Sequence, residues 1–321
     1  TRGMRVAIIG ANGFVGRAAS RILSKKGYYV HGFIRDAGIN ELPFIDKITY
    51  VSSADAEQDW RMLLADIDVV LHLASPIATD KANKQQVREY EEVIVDGSLS
   101  IAEAAVKNDV RRMIFISSTK VNGEFTQDEA FKIDSIPSPK TSYGKSKLQA
   151  ELGLFQISRN KGLPLTVIRP PIVYGPGNFG NIHSMIKFLD WLPLGFLPLG
   201  GLKNKRSLIF IENLASAISY CVDDLTTESH IFFVRDPMMP STTTLCSMIL
   251  ANLNKNVHLL SCNRHSIQTI LTFFLPKHAN RIFGSLEIDN SEILKTLGWN
   301  PPFDTEEGLR KTVFHIKQKL M

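Results

Sequence analysis

Tyr143 and Lys147 are the two residues whose types and spacing most directly suggest acid–base chemistry. They lie four positions apart in a helical pattern that begins after Pro139 and Ser142, so both side chains fall on one helix face. A free tyrosine has a pKa of about 10, and an adjacent ammonium favours the phenolate. Tyr143 is therefore a candidate general base and acid. The alternative is a solvated helix face, because such pairs are common.

A glycine pattern near the start of the chain has the spacing of a phosphate-binding turn. Gly10-Ala11-Asn12-Gly13-Phe14-Val15-Gly16 directly follows a strand pattern and opens a helix pattern. Gly10 permits a tight turn, Gly13 lets backbone N–H groups approach a pyrophosphate, and Gly16 lets the helix pack on the sheet. The alternative is a glycine-rich turn that binds no ligand.

Short apolar runs alternate with helical patterns and must position these residues. In chain order, the runs and helical patterns are Arg5–Ile9, Ala18–Lys25, Tyr29–Ile34, Val69–Leu73, Ile101–Val106 and Met113–Ser117. Further strands are expected at Leu165–Arg169, Leu208–Ile211 and Ile231–Val234. This alternation is typical of a parallel sheet covered by helices on both faces. We therefore predict an α/β fold, a Rossmann-type doubly wound parallel sheet with a smaller C-terminal substrate-binding lobe.

The order of the patterns also predicts domain boundaries. We place the dinucleotide-binding domain at residues 1–175, with 207–236 returning to it, and the smaller lobe at 176–206 and 237–321. Prolines and a glycine break the apolar stretch Phe188–Leu199. We interpret this stretch as an ordered loop and expect no membrane insertion.

Composition excludes several classes of protein. The 321 residues are 44% hydrophobic and 21% charged, which is ordinary globular composition. The net charge of +5 is spread along the chain, which favours an anionic small ligand and argues against nucleic acid. The cysteines lack metal or disulfide spacing, so we expect no metal. The first apolar run enters a glycine turn at once, so we expect no signal peptide and a cytoplasmic location.

Four motifs together resemble the extended branch of the short-chain dehydrogenase/reductase family, the NAD-dependent epimerase/dehydratase family. They are G-x-x-G-x-x-G from Gly10, Tyr143-Gly144-Lys145-Ser146-Lys147, the run from Arg169 to Gly177, and Leu297-Gly298-Trp299. The resemblance covers nearly the whole chain and is strongest to bacterial UDP-hexose and UDP-N-acetylhexosamine 4-epimerases and 4-keto-sugar reductases of surface-polysaccharide pathways. It implies an NAD(P)-dependent enzyme, a UDP-sugar substrate and a homodimer.

The resemblance implies that Ser118 is a third catalytic residue beside Tyr143 and Lys147. Its hydroxyl would hydrogen-bond the reacting sugar oxygen, and a turn cap is the alternative reading. Dehydratases of the family carry Asp-Glu immediately afterwards, where this chain has Thr119-Lys120. Neither residue replaces a carboxylate acid–base pair, so we reject dehydration and predict that Thr119 contacts substrate.

The resemblance also implies a set of cofactor-binding residues: Gly10, Gly13, Phe14, Val15, Gly16, Arg35, Leu73, Ala74, Ser75, Tyr143, Lys147, Pro170 and Ile172. Members that bind NAD carry Asp at the end of the second strand, where this chain has Ile34 followed by Arg35. A guanidinium there would meet a 2′-phosphate, so NADP(H) is favoured and NAD(H) is the alternative. A surface arginine remains the other interpretation of Arg35.

The substrate side is expected after the Tyr174-Gly175 turn. There the family holds its substrate nucleotide, which implies contacts from Asn178 and Asn181. Arg206 matches the arginine that contacts the diphosphate, and Arg281 is a second candidate. A solvated basic loop is the alternative for Arg206.

Three classes of function remain. The first is an enzyme, with C4 epimerisation favoured and NADPH-dependent reduction of a 4-keto sugar as its alternative. The second is a non-catalytic NADP-sensing protein on the same fold, against which Tyr143, Lys147 and Ser118 together argue. The third is a protein docked on a membrane surface through residues 191–199 and Phe273-Phe274, and the apolar character of these segments is its only support.

Overall fold

A parallel β-sheet forms the centre of the molecule. The computed structural model describes residues 3–35, 42–79, 81–193, 195–226, 228–261 and 282–320. Seven strands within these ranges form the main sheet: β1 (Arg5–Ile9), β2 (Tyr29–Ile34), β3 (Lys47–Tyr50), β4 (Val69–His72), β5 (Arg112–Ile116), β6 (Leu165–Arg169) and β10 (His230–Phe233). Their order is β10-β6-β5-β4-β1-β2-β3, and every neighbouring pair is parallel.

Helices cover both faces of this sheet and also build a smaller lobe. They are α1 (Phe14–Lys25), α2 (Trp60–Leu63), α3 (Lys84–Glu89), α4 (Gly97–Lys107), α5 (Ser142–Lys161), α6 (Asn181–Trp191), α7 (Ile211–Asp223), α8 (Thr242–Leu253), α9 (Ser291–Leu297) and α10 (Thr305–Leu320). A π-helical segment, Tyr90–Asp96, joins α3 to α4. The architecture confirms the predicted Rossmann-type doubly wound sheet.

Side chains of one strand alternate between two cores. In β1, Val6 and Ile8 pack in the core formed with α1 and α7, whereas Ala7 and Ile9 pack in the core formed with α4 and α5. Because both faces are buried, the strand is apolar from Val6 to Ile9. The catalytic candidates follow the carboxyl ends of these strands, where ligands bind in open α/β sheets.

A smaller lobe packs around α6, α8 and α10. Its core includes Ile186, Ile249 and Val313. Two short parallel pairs accompany these helices: β8 (Phe196–Gly200) with β11 (His258–Ser261), and β7 (Ile172–Tyr174) with β9 (Leu208–Phe210). Leu208–Ile211 was expected in the main sheet, and this prediction is wrong. The segment pairs with β7, and α7 begins at Ile211.

The predicted loop over Phe188–Leu199 is also wrong. Helix α6 continues to Trp191, and β8 begins at Phe196. Pro193 follows the end of the helix, and Pro198 lies in a strand that pairs only with β11 among the described residues. One proline therefore lies just beyond a helix end and the other in an edge strand, both of which are positions where proline is common.

Candidate active site

The glycine turn forms a backbone cradle between β1 and α1. Gly10 has a φ of +91°, and a Cβ there would lie 3.0 Å from the Ala74 nitrogen. A Cβ on Gly16 would overlap the Gly10 carbonyl oxygen and lie 2.7 Å from Ala11 Cα. Gly13 caps α1 without any side-chain hydrogen bond. The first N–H groups of the helix, including those of Phe14 and Val15, thus fit the pyrophosphate of a dinucleotide.

A first cavity opens beside this cradle at the ends of β1, β2 and β4. Six predicted cofactor residues line it: Gly10, Gly13, Arg35, Leu73, Ala74 and Ser75. Val51, Ala54 and Val93 add an apolar wall. Ile34 is buried, and Arg35 is exposed at the edge. An apolar slot with one cation at its edge suits the adenosine half of a nicotinamide cofactor.

Helix α5 positions Tyr143 and Lys147. Thr141 caps the helix by accepting a hydrogen bond from Gly144 N at 3.1 Å. Lys147 Nζ lies 5.6 Å from the centre of the Tyr143 ring and donates to the Ile116 carbonyl oxygen at 2.8 Å. The Tyr143 side chain hydrogen-bonds that of Ser75, which lines the first cavity. Tyr143 therefore reaches the first cavity through Ser75, and Lys147 lies buried beside the Tyr143 ring.

Burial controls the protonation of this pair. It raises the pKa of Tyr143, and the Ser75 hydrogen bond opposes the rise. It lowers the pKa of Lys147 to about 7, although Glu151 acts in the opposite direction. The predicted stabilisation of the phenolate is thus wrong for this structure, because desolvation of the buried phenol outweighs the opposing hydrogen bond from Ser75. The phenol is held in its protonated form, ready to donate.

A buried ion pair fixes the lower part of α5. Arg169 of β6 bonds Glu151 through Nε at 3.0 Å and through Nη2, and it donates to Asn122 Oδ1 at 3.1 Å. Both charged side chains are almost fully buried. The pair therefore locks α5 to β6 and to the turn that follows β5.

His72 lies buried near Lys147 and is a weak candidate for proton transfer. It is buried and bonded to Ser98 Oγ at 2.9 Å. Burial, and then the charge of Lys147, lowers its pKa to about 3. A histidine with this pKa stays neutral near pH 7, so Tyr143 is the stronger acid–base candidate.

Ser118 begins a short 3₁₀ turn, Thr119–Val121, directly after β5. Its Oγ accepts from Lys120 N at 3.2 Å, and Thr119 N donates to the Pro170 carbonyl oxygen at 3.1 Å. The cap reading of Ser118 is therefore correct. Capping uses the hydroxyl as an acceptor only, so its proton can still be donated to a ligand oxygen.

A second cavity unites most of the predicted substrate residues. It is lined by Ser118, Thr119, Lys120, Glu124, Phe125, Ile172, Asn181 and Arg206, among others. Arg206 is 8% exposed and donates to the Gly284 carbonyl oxygen at 3.3 Å. Thus the hydroxyl of Ser118, the first residue of α6 and a guanidinium lie around one space.

Other predicted residues lie elsewhere. Ile172 lines the second cavity and not the first, and Pro170 binds the Ser118 turn through its carbonyl oxygen. Asn178 closes its own turn, donating to the Val173 carbonyl oxygen at 2.6 Å and accepting from Gly180 N at 3.0 Å. It lines a third cavity, on the far side of α6. Arg281 lies outside the described residues.

Sequence reasoning missed three residues of the site. Lys120 and Glu124 form an ion pair at 3.4 Å at the second cavity. Tyr90 packs edge-on against Tyr143, with ring centres 5.6 Å apart at 79°. The i, i+4 spacing of Lys120 and Glu124 was visible, but no helical pattern surrounds it. Tyr90 is brought to the site by the π-helical segment, which has no sequence signature.

Three further features of the described residues bear on function. No group of three or more His, Cys, Asp or Glu side chains among them is placed to hold a metal ion. None of the described helices combines the length and apolarity needed to cross a membrane. Cys221 and Cys246 are buried free thiols.

Comparison with known proteins places these features in a family. The model of the NAD dependent epimerase/dehydratase family matches residues 6–233. A UDP-glucose 4-epimerase of Vibrio cholerae is 31% identical over 318 residues, covering 96% of this chain and 94% of that protein. An N-acetyl-α-D-glucosaminyl-diphospho-ditrans,octacis-undecaprenol 4-epimerase of Escherichia coli O157:H7 is 28% identical over 261 residues, covering 78% and 73%.

The fold has close counterparts among solved structures. UDP-glucuronic acid 4-epimerase of Bacillus cereus, in complex with UDP-glucuronic acid and NAD, superposes with a TM-score of 0.78. It is 22% identical, and the match covers 98% of this chain and 100% of that one. The chain is therefore an enzyme of the NAD dependent epimerase/dehydratase family, the extended branch of the short-chain dehydrogenases/reductases.

Proposed function

We propose that this enzyme is a 4-epimerase of a UDP-hexose or UDP-N-acetylhexosamine and acts by reversible hydride transfer at C4. The observation that carries the proposal is that α5 contacts a lining residue of the first cavity and the strand that leads to the second. Tyr143 bonds Ser75 in the first cavity, and Lys147 bonds Ile116, two residues before Ser118 in the second. The names of the Vibrio cholerae and Bacillus cereus proteins support the same reaction type.

The residues of the chain divide the work. A nicotinamide cofactor, when bound, supplies a hydride acceptor and donor. Because burial holds the phenol of Tyr143 protonated, this group must first lose its proton, and the positive charge of an oxidised nicotinamide bound beside it would favour that loss. Tyr143 would then take the proton from the sugar 4-hydroxyl and return it after the 4-keto sugar has turned over in the pocket. Ser118 hydrogen-bonds the reacting oxygen, and Arg206 holds the diphosphate, which orients a flexible substrate.

We also propose that the cofactor is NADP(H). Arg35 stands at the exposed edge of the first cavity after the apolar Ile34, where a guanidinium can meet a 2′-phosphate. Arg35→Ala should weaken NADPH binding at least about tenfold and leave NADH binding unchanged, whereas Arg61→Ala, on the exposed side of α2, should change neither. Tighter binding of NADH than of NADPH by the unaltered enzyme would overturn this preference.

Reduction of a 4-keto sugar nucleotide is the second candidate, and Arg35 is the observation that favours it. NADPH supplies net reducing equivalents, which an epimerase does not need. In this reaction Tyr143 acts only as the proton donor, which agrees with its raised pKa. NADPH is then consumed and must exchange in every cycle.

One experiment separates these reactions. The enzyme is incubated with UDP-N-acetylglucosamine, with a 4-keto-6-deoxy UDP sugar, and with a polyprenyl-diphosphate-linked N-acetylglucosamine, the last because of the Escherichia coli relative. NADPH absorbance is followed and the products are separated. Interconversion of C4 epimers of a UDP sugar without net NADPH loss supports the proposal. Stoichiometric NADPH oxidation with the keto sugar alone identifies a reductase, and turnover of the lipid-linked sugar alone contradicts the UDP assignment. Cofactor binding without any turnover favours a sensor.

A further inference from the structure

A third cavity lies between α6, α10 and the turn at residues 177–179. Its lining consists of Gly177, Asn178, Phe179, His183, Lys187, His315, Ile316 and Lys319. It shares no lining residue with either cavity of the candidate active site. Any ligand held here would therefore bind apart from the cofactor and the sugar.

The two helices present the same pair of side chains to this cavity. His183 and Lys187 lie four residues apart on α6, and His315 and Lys319 lie four residues apart on α10. Such spacing puts both members of a pair on one helix face. The charges of Lys187, Lys319 and His315 all act on His183 and lower its pKa, after burial. The four cationic or titratable groups therefore converge.

Negative charge is scarce around this cluster. The described residues that line the cavity include no carboxylate. A wider groove continues from the cavity towards α1 and α7, where Arg17, Arg21 and Glu212 face it. Glu212 is already paired with Arg21 at 3.1 Å. Like charges that converge without a counter-charge repel one another, and a bound anion relieves this repulsion.

An aromatic ring stands beside the cations. Phe179 is 74% exposed, and its ring centre lies 5.1 Å from that of His183 and 5.9 Å from Lys319 Nζ. An exposed ring of this kind can stack on a nucleobase. The Nε2 atom of His315 is buried and has no hydrogen-bond partner within the described parts of the chain. An unpartnered imidazole nitrogen and a stacking surface thus accompany the positive charge.

Helix α6 separates this cavity from the sugar pocket. Asn181 lines the second cavity, whereas His183 and Lys187, two and six residues further along, line the third. Because successive residues turn by about 100° around a helix, these side chains leave α6 on different sides.

We propose that the third cavity is a second nucleotide site, in which His183, Lys187, His315 and Lys319 hold a diphosphate and Phe179 stacks on the base. The site is independent of the reaction at C4. It provides a place where a nucleoside diphosphate binds without displacing cofactor or substrate.

Histidine side-chain NMR signals test this site directly. The signals of His183 and His315 are assigned with His183→Asn and His315→Asn, and ADP, inorganic pyrophosphate and inorganic phosphate are added in separate titrations. We expect both signals to shift saturably with ADP and the pKa of His183 to rise, because the bound anion offsets the neighbouring lysines. Pyrophosphate should bind more weakly than ADP, and phosphate more weakly still.

Two matched double variants locate the binding. Lys187→Gln/Lys319→Gln should weaken ADP binding at least about tenfold, whereas Lys25→Gln/Lys107→Gln, at the exposed ends of α1 and α4, should leave it unchanged. Phe179→Ala should weaken the binding of ADP but not that of pyrophosphate. Both double variants are first saturated with NADPH, because ADP can also occupy the first cavity. The proposal is overturned if neither histidine signal moves, or if the two double variants so saturated bind ADP equally. Equal binding of ADP and pyrophosphate, with no effect of Phe179→Ala, overturns the nucleotide assignment.

Discussion

Burial raises the pKa of Tyr143, the hydrogen bond to Ser75 opposes the rise, and burial dominates. The spacing of Tyr143 and Lys147 was sufficient to predict one shared helix face, and α5 confirms it. Spacing carries no information on how deeply the two side chains are buried, so the direction of the Tyr143 pKa shift was beyond sequence reasoning. The same limit applies to Asn178, whose type suggested a ligand contact and whose amide closes a turn.

Removing the Tyr143 hydroxyl should stop catalysis and leave the fold intact. We expect Tyr143→Phe to lower kcat by about 10²–10⁴-fold, the usual loss when a proton-transfer group is deleted. Thermal unfolding and cofactor titration should give nearly unaltered values. Tyr50→Phe, a change on a half-exposed ring in β3, is the matched control. Retention of more than about a tenth of the wild-type rate would show that Tyr143 is not the acid–base group.

Lys147 should make stability depend on pH. Its pKa is about 7 in the folded chain and 10.5 in the unfolded chain, so the unfolded chain binds more protons between these values. The contribution of Lys147 to the stability of the folded chain is fully present above pH 10.5 and is lost as pH falls to about 7. As pH falls over this range, the free energy of unfolding of the wild type should decrease by on the order of 4 kcal/mol relative to that of Lys147→Met, at about 1.4 kcal/mol per pKa unit.

Urea unfolding of both proteins without added cofactor, at several pH values from 6 to about 10, measures this difference. The variant also leaves the Ile116 carbonyl oxygen without its donor, which adds an offset that does not vary with pH. A difference that stays constant with pH would mean that Lys147 titrates normally.

Helices and strands of the main sheet were the elements most accessible to sequence reasoning. The strand patterns at Arg5–Ile9 and Leu165–Arg169 coincide with β1 and β6, because buried parallel strands are continuously apolar and bounded by turns. The segment at Leu208 was assigned to the wrong sheet, since an apolar run does not specify its partner. The π-helical segment that delivers Tyr90 has no periodicity from which to predict it.

The contact between α1 and the glycine turn should not tolerate a methyl group. We expect Gly16→Ala to lower the free energy of unfolding by roughly 2 kcal/mol or more, because the new Cβ overlaps the backbone of Gly10 and Ala11. Cofactor affinity should fall as well, since α1 must move away from the turn. Gly195→Ala, where a Cβ meets nothing within 4 Å, should change stability by less than about 0.5 kcal/mol. Equal stability of the two variants would contradict the close approach.

One buried carboxylate joins the sheet to the smaller lobe. Asp236, just after β10, accepts hydrogen bonds from the Tyr174 hydroxyl at 2.7 Å, Phe210 N at 2.8 Å and Asn213 Nδ2 at 2.7 Å. Asn213 also donates to the Phe303 carbonyl oxygen at 2.9 Å. Segments far apart in the chain therefore share one acceptor. The predicted domain boundaries near residues 175, 206 and 236 fall close to this network.

Deleting this acceptor should weaken the whole molecule. Asp236→Ala leaves three buried donors without a partner, and we expect a loss of about 3 kcal/mol or more in urea unfolding, at roughly 1–3 kcal/mol for each donor. Asp134→Ala, at an exposed position, is the control and should stay within about 0.5 kcal/mol of the wild type. A small loss in Asp236→Ala would indicate that water replaces the carboxylate. The expected homodimer stays a prediction at this scale.

Because the start of α1 has no side-chain cap, its stability depends on whether a cofactor is bound. A serine or aspartate at a helix start would bond the first N–H groups and strengthen the helix, but Gly13 leaves those groups to whatever anion arrives. The same donors therefore serve either local rigidity or ligand affinity, and they cannot serve both. Selection for tight cofactor binding thus limits how stable the start of α1 can become in the absence of cofactor.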